Sequence, residues 1–510
     1  MDKRIAMKII VQRVFILILC MLSLYAKSQS KLGNTWIVGT FGYQINFHSN
    51  PVAHDTSGLP SYWHLGHSNI CDTNGRLLLC SDGMNIYDST GIYIDGGDTL
   101  VPKEFYNYFN GVDDLSQASI ILPMDSNVFY LVTQACSDSH MVSIMQNGGG
   151  YFDLLLYDKI DMKANAGMGK VVQKMKPIIE NGNLSNSQMM ACRHGNGKDW
   201  WVLKMAEDSV NVNTVLLKQD TVINMGIQRF PFIGDGGLDG GGGQMQINQQ
   251  GTQMSTVNNG FNNLPLSYIY TADFDRCTGL LSNYKKTMVP TTPTGYPIGQ
   301  LQLDSSALGL CYSPNGRFLY LIKYSGILQL DLLDNNISTA WYQVSGMDTA
   351  YNWFAGYTNA YLGPDGKIYI GTYHGTSKQM STIDNPDIKG SGCNFCRKCL
   401  RSKAVYAWFS SPPCMPNYNL SGNGCWPASN TEIEKNNPAL VVYPNPACTV
   451  LTIQGVKEIE AVIMYNQLGH EVKKETANEK KIDIHTLSKG MYTIHVEANG
   501  KAYFARFLKE

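Results

Sequence analysis

The chain has 510 residues, which at about 150 per domain allows three domains, or fewer if one is a large β domain. Its 40 Lys and Arg against 41 Asp and Glu leave a net charge of −1, so no whole-chain field draws in nucleic acid or anionic lipid. Hydrophobic residues at 44% exclude a disordered chain, and 49 Gly, 29 Tyr and 20 Pro make a turn- and strand-rich composition unlike that of a helical cytosolic enzyme.

The first elements are an address. Lys3, Arg4, Lys8 and Arg13 form a positive head, followed by the apolar stretch Val14 to Leu24. That stretch is too short for a bilayer core, which needs about 20 residues. Ala26 and Ser28 then supply small residues before Gln29, so residues 1–28 read as a secretory signal peptide. A lipoprotein anchor on Cys20 is disfavoured by Leu19, which stands where a small residue is wanted. With no other segment apolar enough to span, a mature chain without a transmembrane segment is expected outside the cytoplasm.

A turn followed by an aromatic-rich strand then recurs: DTNGRLLLC from Asp72, MDSNVFYLV from Met124, HGNGKDWWVL from His194, NQQGTQMSTV from Asn248, SPNGRFLYL from Ser313 and GPDGKIYIG from Gly363. Asn-Gly and Asp-Gly supply the positive φ of tight turns, and the alternation that follows has the period of a half-buried strand. The gaps between Gly75, Asp125, Gly197, Gly251, Gly316 and Gly366 are 50, 72, 54, 65 and 50 residues, enough in each case for four short strands. Residues 29–426 are therefore expected to form an all-β, seven-bladed β-propeller, with six or eight blades as alternatives. Two tandem β-sandwiches are the competing architecture. No long amphipathic helix is foreseen. The polar run 427–439 reads as a linker, and residues 440–510, with strands broken at Gly455, Gly469, Gly490 and Gly500, as a small C-terminal β-sandwich.

Several clusters could carry chemistry. Five of the thirteen cysteines, Cys393, Cys396, Cys399, Cys414 and Cys425, crowd one region. In an oxidising compartment they are disulfide candidates for a stapled loop, with zinc as the lesser reading. The Cys-x-x-Cys-x-x-Cys run lacks the fourth Cys of an iron–sulfur pattern. His48, His54, His64 and His67 lie near one another in sequence, with His48 and His54 as weak metal candidates against a reading as polar loop residues. Asp235 and Asp239 sit in a glycine-rich loop, GDGGLDGGGG, that could take Ca²⁺, although its spacing matches neither an EF-hand nor a nonapeptide repeat. No other cofactor is implied. Nucleophile elbows, phosphate loops and zinc-protease motifs are absent, and Asp113-Asp114 is an ordinary adjacent pair in a loop. The tryptophans read as core filler between blades, with stacking platforms for a ligand as the alternative.

The C-terminal residues Tyr443-Pro444-Asn445-Pro446, Gln467-Leu468-Gly469, Leu487 to Tyr492 (LSKGMY) and Phe504 to Lys509 (FARFLK) occur in an order that closely resembles the type A sorting domain of the type IX secretion system of Bacteroidetes-type bacteria. On this resemblance Tyr443, Pro444, Asn445, Pro446, Gly490, Tyr492 and Lys509 belong to the sorting signal. It implies docking at the type IX translocon, cleavage near residue 435 by a sortase-like peptidase, and a secreted or outer-membrane-surface product. The segments NTWIVGTFGYQINF from Asn34, LGLCYSPNGRFLYL from Leu308 and LGPDGKIYIGTYH from Leu362 resemble WD40-like propellers often joined to such domains. A binding or scaffold propeller for an unknown protein or glycan is the expected function. The rival is an extracellular enzyme degrading polysaccharide or peptide, for which three or more Asp, Glu or His would have to converge on the channel. Amides, hydroxyls and aromatics there would favour binding.

Overall fold

A computed structural model describes residues 30–510 apart from 41–42, 50–51, 57, 60–61, 114, 149, 233–242, 260–266, 291–306, 324–325, 347–355, 374–378, 402–408, 423–424, 426–439, 467–470, 477–479 and 499–500. The signal peptide and the linker thus lie outside the described residues, as do Asp235 and Asp239. The chain divides into two units, Met1–Trp426 and Pro427–Glu510.

Seven antiparallel sheets succeed one another along the first unit, and in blades 2 to 6 the strands are paired in chain order. We number them blades 1 to 7, covering residues 35–63, 68–88, 119–179, 184–229, 245–288, 307–345 and 356–410. Five of the seven have four strands; blade 2 has three, and blade 7 gains Phe409–Ser410 against its second strand. The first strands of blades 2 to 7 lie side by side around a centre. Blade contacts close the ring: Trp200 donates from Nε1 to the Pro123 carbonyl at 2.8 Å, Trp201 from Nε1 to the Arg276 carbonyl at 2.7 Å, and Tyr320 from its hydroxyl to the Pro386 carbonyl at 2.8 Å. Blade 1 meets blade 7 through Trp36 and Tyr369, whose ring centroids are 5.4 Å apart. The first unit is a seven-bladed β-propeller.

The recurring sequence turn joins the first strand to the second in blades 2 to 7. In five of them the glycine amide donates to the carbonyl three residues back at 2.9 Å, and the glycines (Gly75, Gly197, Gly251, Gly316 and Gly366) take φ of 71–87°. In blade 3 no glycine is present; the Asp125 carboxylate instead accepts from the Asn127 and Val128 amides at 2.7 and 2.8 Å. Because each sheet is covered on both faces by its neighbours, inner strands such as Trp200–Ala206 and Phe318–Lys323 are buried at every position. Both Trp200 and Trp201 are core for that reason, with Trp36 and Trp63. Outer strands return to alternation, as in Val222–Arg229.

Three α-helices among the described residues go beyond the strand expectation: Lys103–Tyr108, Asp138–Asn147 between the second and third strands of blade 3, and the single turn Ile337–Ala340. The second starts at Ser137, whose Oγ accepts from the His140 amide, and stops at Gly148.

Blade 3 also buries a carboxyl. Asp158 in Leu154–Asp161 accepts from the Met175 amide at 2.7 Å, and burial pushes it up to about 7 from its ordinary 3.8. The folded state keeps a proton that the unfolded chain releases, so stability is lost as pH rises from 3.8 through 7. Asp158→Asn should therefore raise stability, read by urea unfolding, by at most about 4 kcal/mol above pH 7 at ~1.4 kcal/mol per unit, and leave it nearly unchanged below about pH 4. Equal effects in both conditions would refute this account.

The second unit packs a three-stranded sheet (Val441–Tyr443, Val450–Gln454, Lys481–Asp483) on a four-stranded one (Glu471–Thr476, Ile459–Tyr465, Gly490–Ala498, Lys501–Lys509). Leu451, Ile453 and Ile482 from one sheet meet Val462, Ile494, Val496 and Phe507 from the other. It is a small β-sandwich.

Candidate functional site

The centre of the propeller is filled by its own side chains and by its own C-terminal segment. Gln117, just before the first strand of blade 3, donates from Nε2 to the Met245 carbonyl and accepts from the Met245 amide, at 2.8 and 2.7 Å, so it reaches past blade 4 to blade 5. Gln244 accepts at 2.9 Å from both the Leu310 amide of blade 6 and the Ala360 amide of blade 7. Asn359 donates to Ser116 Oγ at 2.8 Å. Gln188 donates to Thr256 Oγ1 at 2.9 Å and to the Val257 carbonyl. Ser68 and Ser119 share a hydrogen bond of 2.9 Å. The contacts of Gln117, Asn359 and Gln244 with Ala360 join non-adjacent blades, and those of Gln188 and Ser68 join neighbouring ones.

Residues 411–414 are buried and run on along the same centre. The Cys414 amide donates to the His67 carbonyl (2.9 Å), Asn417 Nδ2 to the Gln249 carbonyl (2.9 Å) and the Tyr418 hydroxyl to the Ile121 carbonyl (2.7 Å). Arg276 then grips the Ser421 carbonyl at 2.7 Å, and a disulfide joins Cys425 to Cys277 of blade 5. Beside this segment lies a cavity of about 80 Å³, lined among others by Trp36, Gln246, Tyr312, Tyr361, Met415 and Tyr418. That space suits a few waters and falls well short of the roughly 300 Å³ at which organic-ligand pockets begin.

Charged groups near the centre are committed to the fold. Asp82 takes hydrogen bonds from the Met84 and Asn85 amides, the Asn85 side chain and the Tyr87 hydroxyl, and burial raises its pKa. Lys204 is fully buried with its ammonium group among Gln134 Oε1 (2.5 Å) and the Ser185 (2.6 Å) and Ser187 carbonyls; burial depresses its pKa well below the ordinary lysine value. Asp113 is buried and accepts from the Leu115 amide at 2.8 Å.

The metal candidates read from sequence do not come together among the described residues. His48 is exposed and turns its Nε2 to the Gly75 carbonyl at 2.7 Å, holding the first repeat turn. His54 is exposed in Ala53–Thr56, where it pairs with Ile45 and lies 5.8 Å from the Tyr43 ring. His67, read as a loop residue, is instead wholly buried, with its ring nitrogens on the His64 and Ile37 carbonyls.

The cysteine expectation needs a correction as well. Cys396 pairs with Cys399, and Cys425 leaves the region altogether for Cys277. Cys393 and Cys414 are buried free thiols. Cys393 packs with Phe318, Ile370 and Ile383 between blades 6 and 7, and Cys414 faces the ring's centre, so neither points toward the loop it was expected to staple.

A different set does converge. Cys136 at the end of Val128–Ala135, His140 in the first turn of Asp138–Asn147 and Asp153 just before Leu154–Asp161 bring a sulfur, a ring nitrogen and a carboxylate oxygen within 4.8 Å of one another. Cys136 and His140 flank the Ser137 cap, and Asp153 comes from the far side of the helical excursion, so spacing alone carries no signal for the set. Burial, then Asp153, pushes the Cys136 thiol far above its usual range, which rules against a nucleophilic role.

In the second unit the sorting-signal residues named above meet across a long sequence gap. Asn445 Oδ1 accepts from the Leu508 amide at 2.9 Å, the Ala447 amide donates to the Leu508 carbonyl at 2.8 Å, and the Glu510 amide returns to the Ala447 carbonyl at 3.0 Å. The loop of Tyr443, Pro444, Asn445 and Pro446 is thereby clipped to the last strand while its side chains stay exposed; both its prolines follow cis bonds. Tyr492 stacks on Phe507 at 5.6 Å and donates to the Ser488 carbonyl at 2.8 Å, Gly490 pairs with Lys509, and Lys509 is buried. This second unit matches a known family over residues 441–510. Those residues are a secretion system C-terminal sorting domain.

The sorting domain marks the protein for export by the type IX secretion system to the cell surface or extracellular space, and hence for interaction with that machinery. Among the described residues no helix is long and apolar enough to cross a membrane. No curated protein matches the chain. Among solved structures, PorZ, a surface component of the type-IX secretion system of Porphyromonas gingivalis, aligns with 92% of this chain and 68% of its own at 12% identity and a TM-score of 0.29. A quinonprotein alcohol dehydrogenase-like protein of Bacteroides thetaiotaomicron aligns over 77% and 80% at 12% identity and a TM-score of 0.36. The WD40 domain of Toxoplasma gondii coronin aligns over 77% and 85% at 9% identity and 0.28. Likenesses this distant say nothing about activity or partner.

Proposed function

We propose that the exported protein is a non-enzymatic binding propeller: a rigid disc at the cell surface or outside it that presents loops to a protein or glycan. What supports this reading is the filled centre. Amides, hydroxyls and the segment 411–421 occupy the place where a propeller enzyme would gather its acids, and the cavity beside that segment is small for a sugar ring or peptide. Asp82 accepts from backbone amides and the Tyr87 hydroxyl, and Asp113 accepts from the Leu115 amide. Recognition therefore falls to the outer loops. On the same reading a sortase-like peptidase cuts near residue 435, releasing the sorting domain once export is complete.

The mature full-length chain, purified under oxidising conditions, should bind saturably to members of one glycan or protein class on arrays and leave polysaccharide and peptide substrates intact. Steady turnover of such a substrate, lost on replacing Asp82 or Asp113, would overturn the proposal in favour of a hydrolase or lyase.

A further inference from the structure

We propose that Cys136, His140 and Asp153 form a site for a divalent transition-metal ion, Zn²⁺ by its donors, which pins the Asp138–Asn147 helix to blade 3. Three different donor types converge from three backbone elements within 4.8 Å, two of the residues being buried and the third half-buried. Thiolate, imidazole and carboxylate are the ligands that zinc takes, and hard ions such as Ca²⁺ and Mg²⁺ do not use sulfur.

The surroundings hold the donors in place. Ser137 donates to Asp153 twice, from its amide at 2.7 Å and its hydroxyl at 2.5 Å, which orients the carboxylate. His140 Nε2 lies 3.2 Å from the Tyr151 carbonyl, and the two rings are 4.4 Å apart, which fixes the imidazole. Supports of this kind are what keep metal ligands in register. Zinc bonds of about 2.3 Å to sulfur and 2.0 Å to nitrogen or oxygen would draw the donors in by roughly 1 Å, a matter of side-chain torsions. The charges also close: one thiolate and one carboxylate neutralise a dication, so the occupied site buries no net charge. Binding forms a sulfur–metal bond and sends the thiol proton to solvent. A fourth position is left to water.

The sequence spacing fits a clip. All three residues lie within a single excursion between two paired strands of blade 3, and the ion would join both strand ends to the first helical turn.

The test uses residues 29–510, with the sorting domain retained, stripped with chelator and desalted. Zn²⁺ should be retained at one ion per chain through a second desalting. Co²⁺ in its place should give a sulfur-to-metal charge-transfer band, and Zn²⁺ should slow alkylation of Cys136, read by peptide mass spectrometry, at least tenfold while leaving exposed Cys448 unaffected. Cys136→Ser and His140→Gln should each lose retention and the cobalt band. His140→Gln is the control against misfolding, since it keeps the thiol, the Ser137 cap and the Asp153 contacts; its circular dichroism should match the parent. Retention by the parent no greater than by His140→Gln, or an unchanged alkylation rate of Cys136 with Zn²⁺, would overturn the site. Neither outcome bears on whether the propeller binds a macromolecule.

Discussion

Cells producing the chain without residues 440–510 should hold it in the periplasm, with surface labelling at background. The sorting domain folds as its own sandwich around its own core, and its removal takes away the export signal. A finer truncation should do the same. Removing residues 501–510 deletes the strand that pairs with Gly490–Ala498 along its whole length and the Leu508 amide that holds Asn445. The exposed Tyr443 to Pro446 loop would then lose its clip although every one of its residues remains. Fractionation and protease shaving of intact cells check both deletions. Undiminished display of either would remove the sorting assignment as the cause of export.

Breaking the Cys277–Cys425 disulfide should be the most costly single change to the propeller. The bridge closes a separation of 148 residues, for which loop-closure entropy gives about 4–5 kcal/mol. It also fastens the last residues of the segment that fills the ring, next to the Arg276 contact with the Ser421 carbonyl. Cys277→Ser, Cys425→Ser and the double variant should lose about the same amount, because each removes the same link. Cys396→Ser should cost little, since its partner Cys399 is three residues away and closes almost no loop. Urea unfolding followed by tryptophan fluorescence measures this, as Trp200 and Trp201 sit in the core. A loss below about 1 kcal/mol for Cys425→Ser would mean that hydrogen bonds alone hold the segment.

Where the fold was legible, the reason is local. The turn at Gly316 and the strand Phe318–Lys323 carry their own chemistry, a positive φ followed by an apolar run, and repetition of that unit announces blades without any long-range knowledge. The sorting signal was legible because its residues are fixed by type and order. The rest depends on partners distant in sequence. Cys425 has six cysteines nearer in sequence than Cys277, and only the path of 411–421 through the ring carries it there. His67 looks like a loop residue until His64 and Ile37 close around it. The helix at Asp138 is a short insertion of weak amphipathic character, and with it Cys136, His140 and Asp153 stayed hidden.

The segment that fills the ring has a consequence for the order of events in the cell. Its residues are the last of the propeller to leave the ribosome, and the thiols that fasten it can be oxidised only after the inner membrane has been crossed. The blades all precede it along the chain, so the axle arrives last and its disulfide to Cys277 can form only with that segment in place. Only then does the export tag behind it travel with a finished wheel. A chain cut before Tyr418 would lack both its hydrogen bond to the Ile121 carbonyl and the Cys277 bridge, so the hub is closed only by residues that directly precede the sorting domain in sequence.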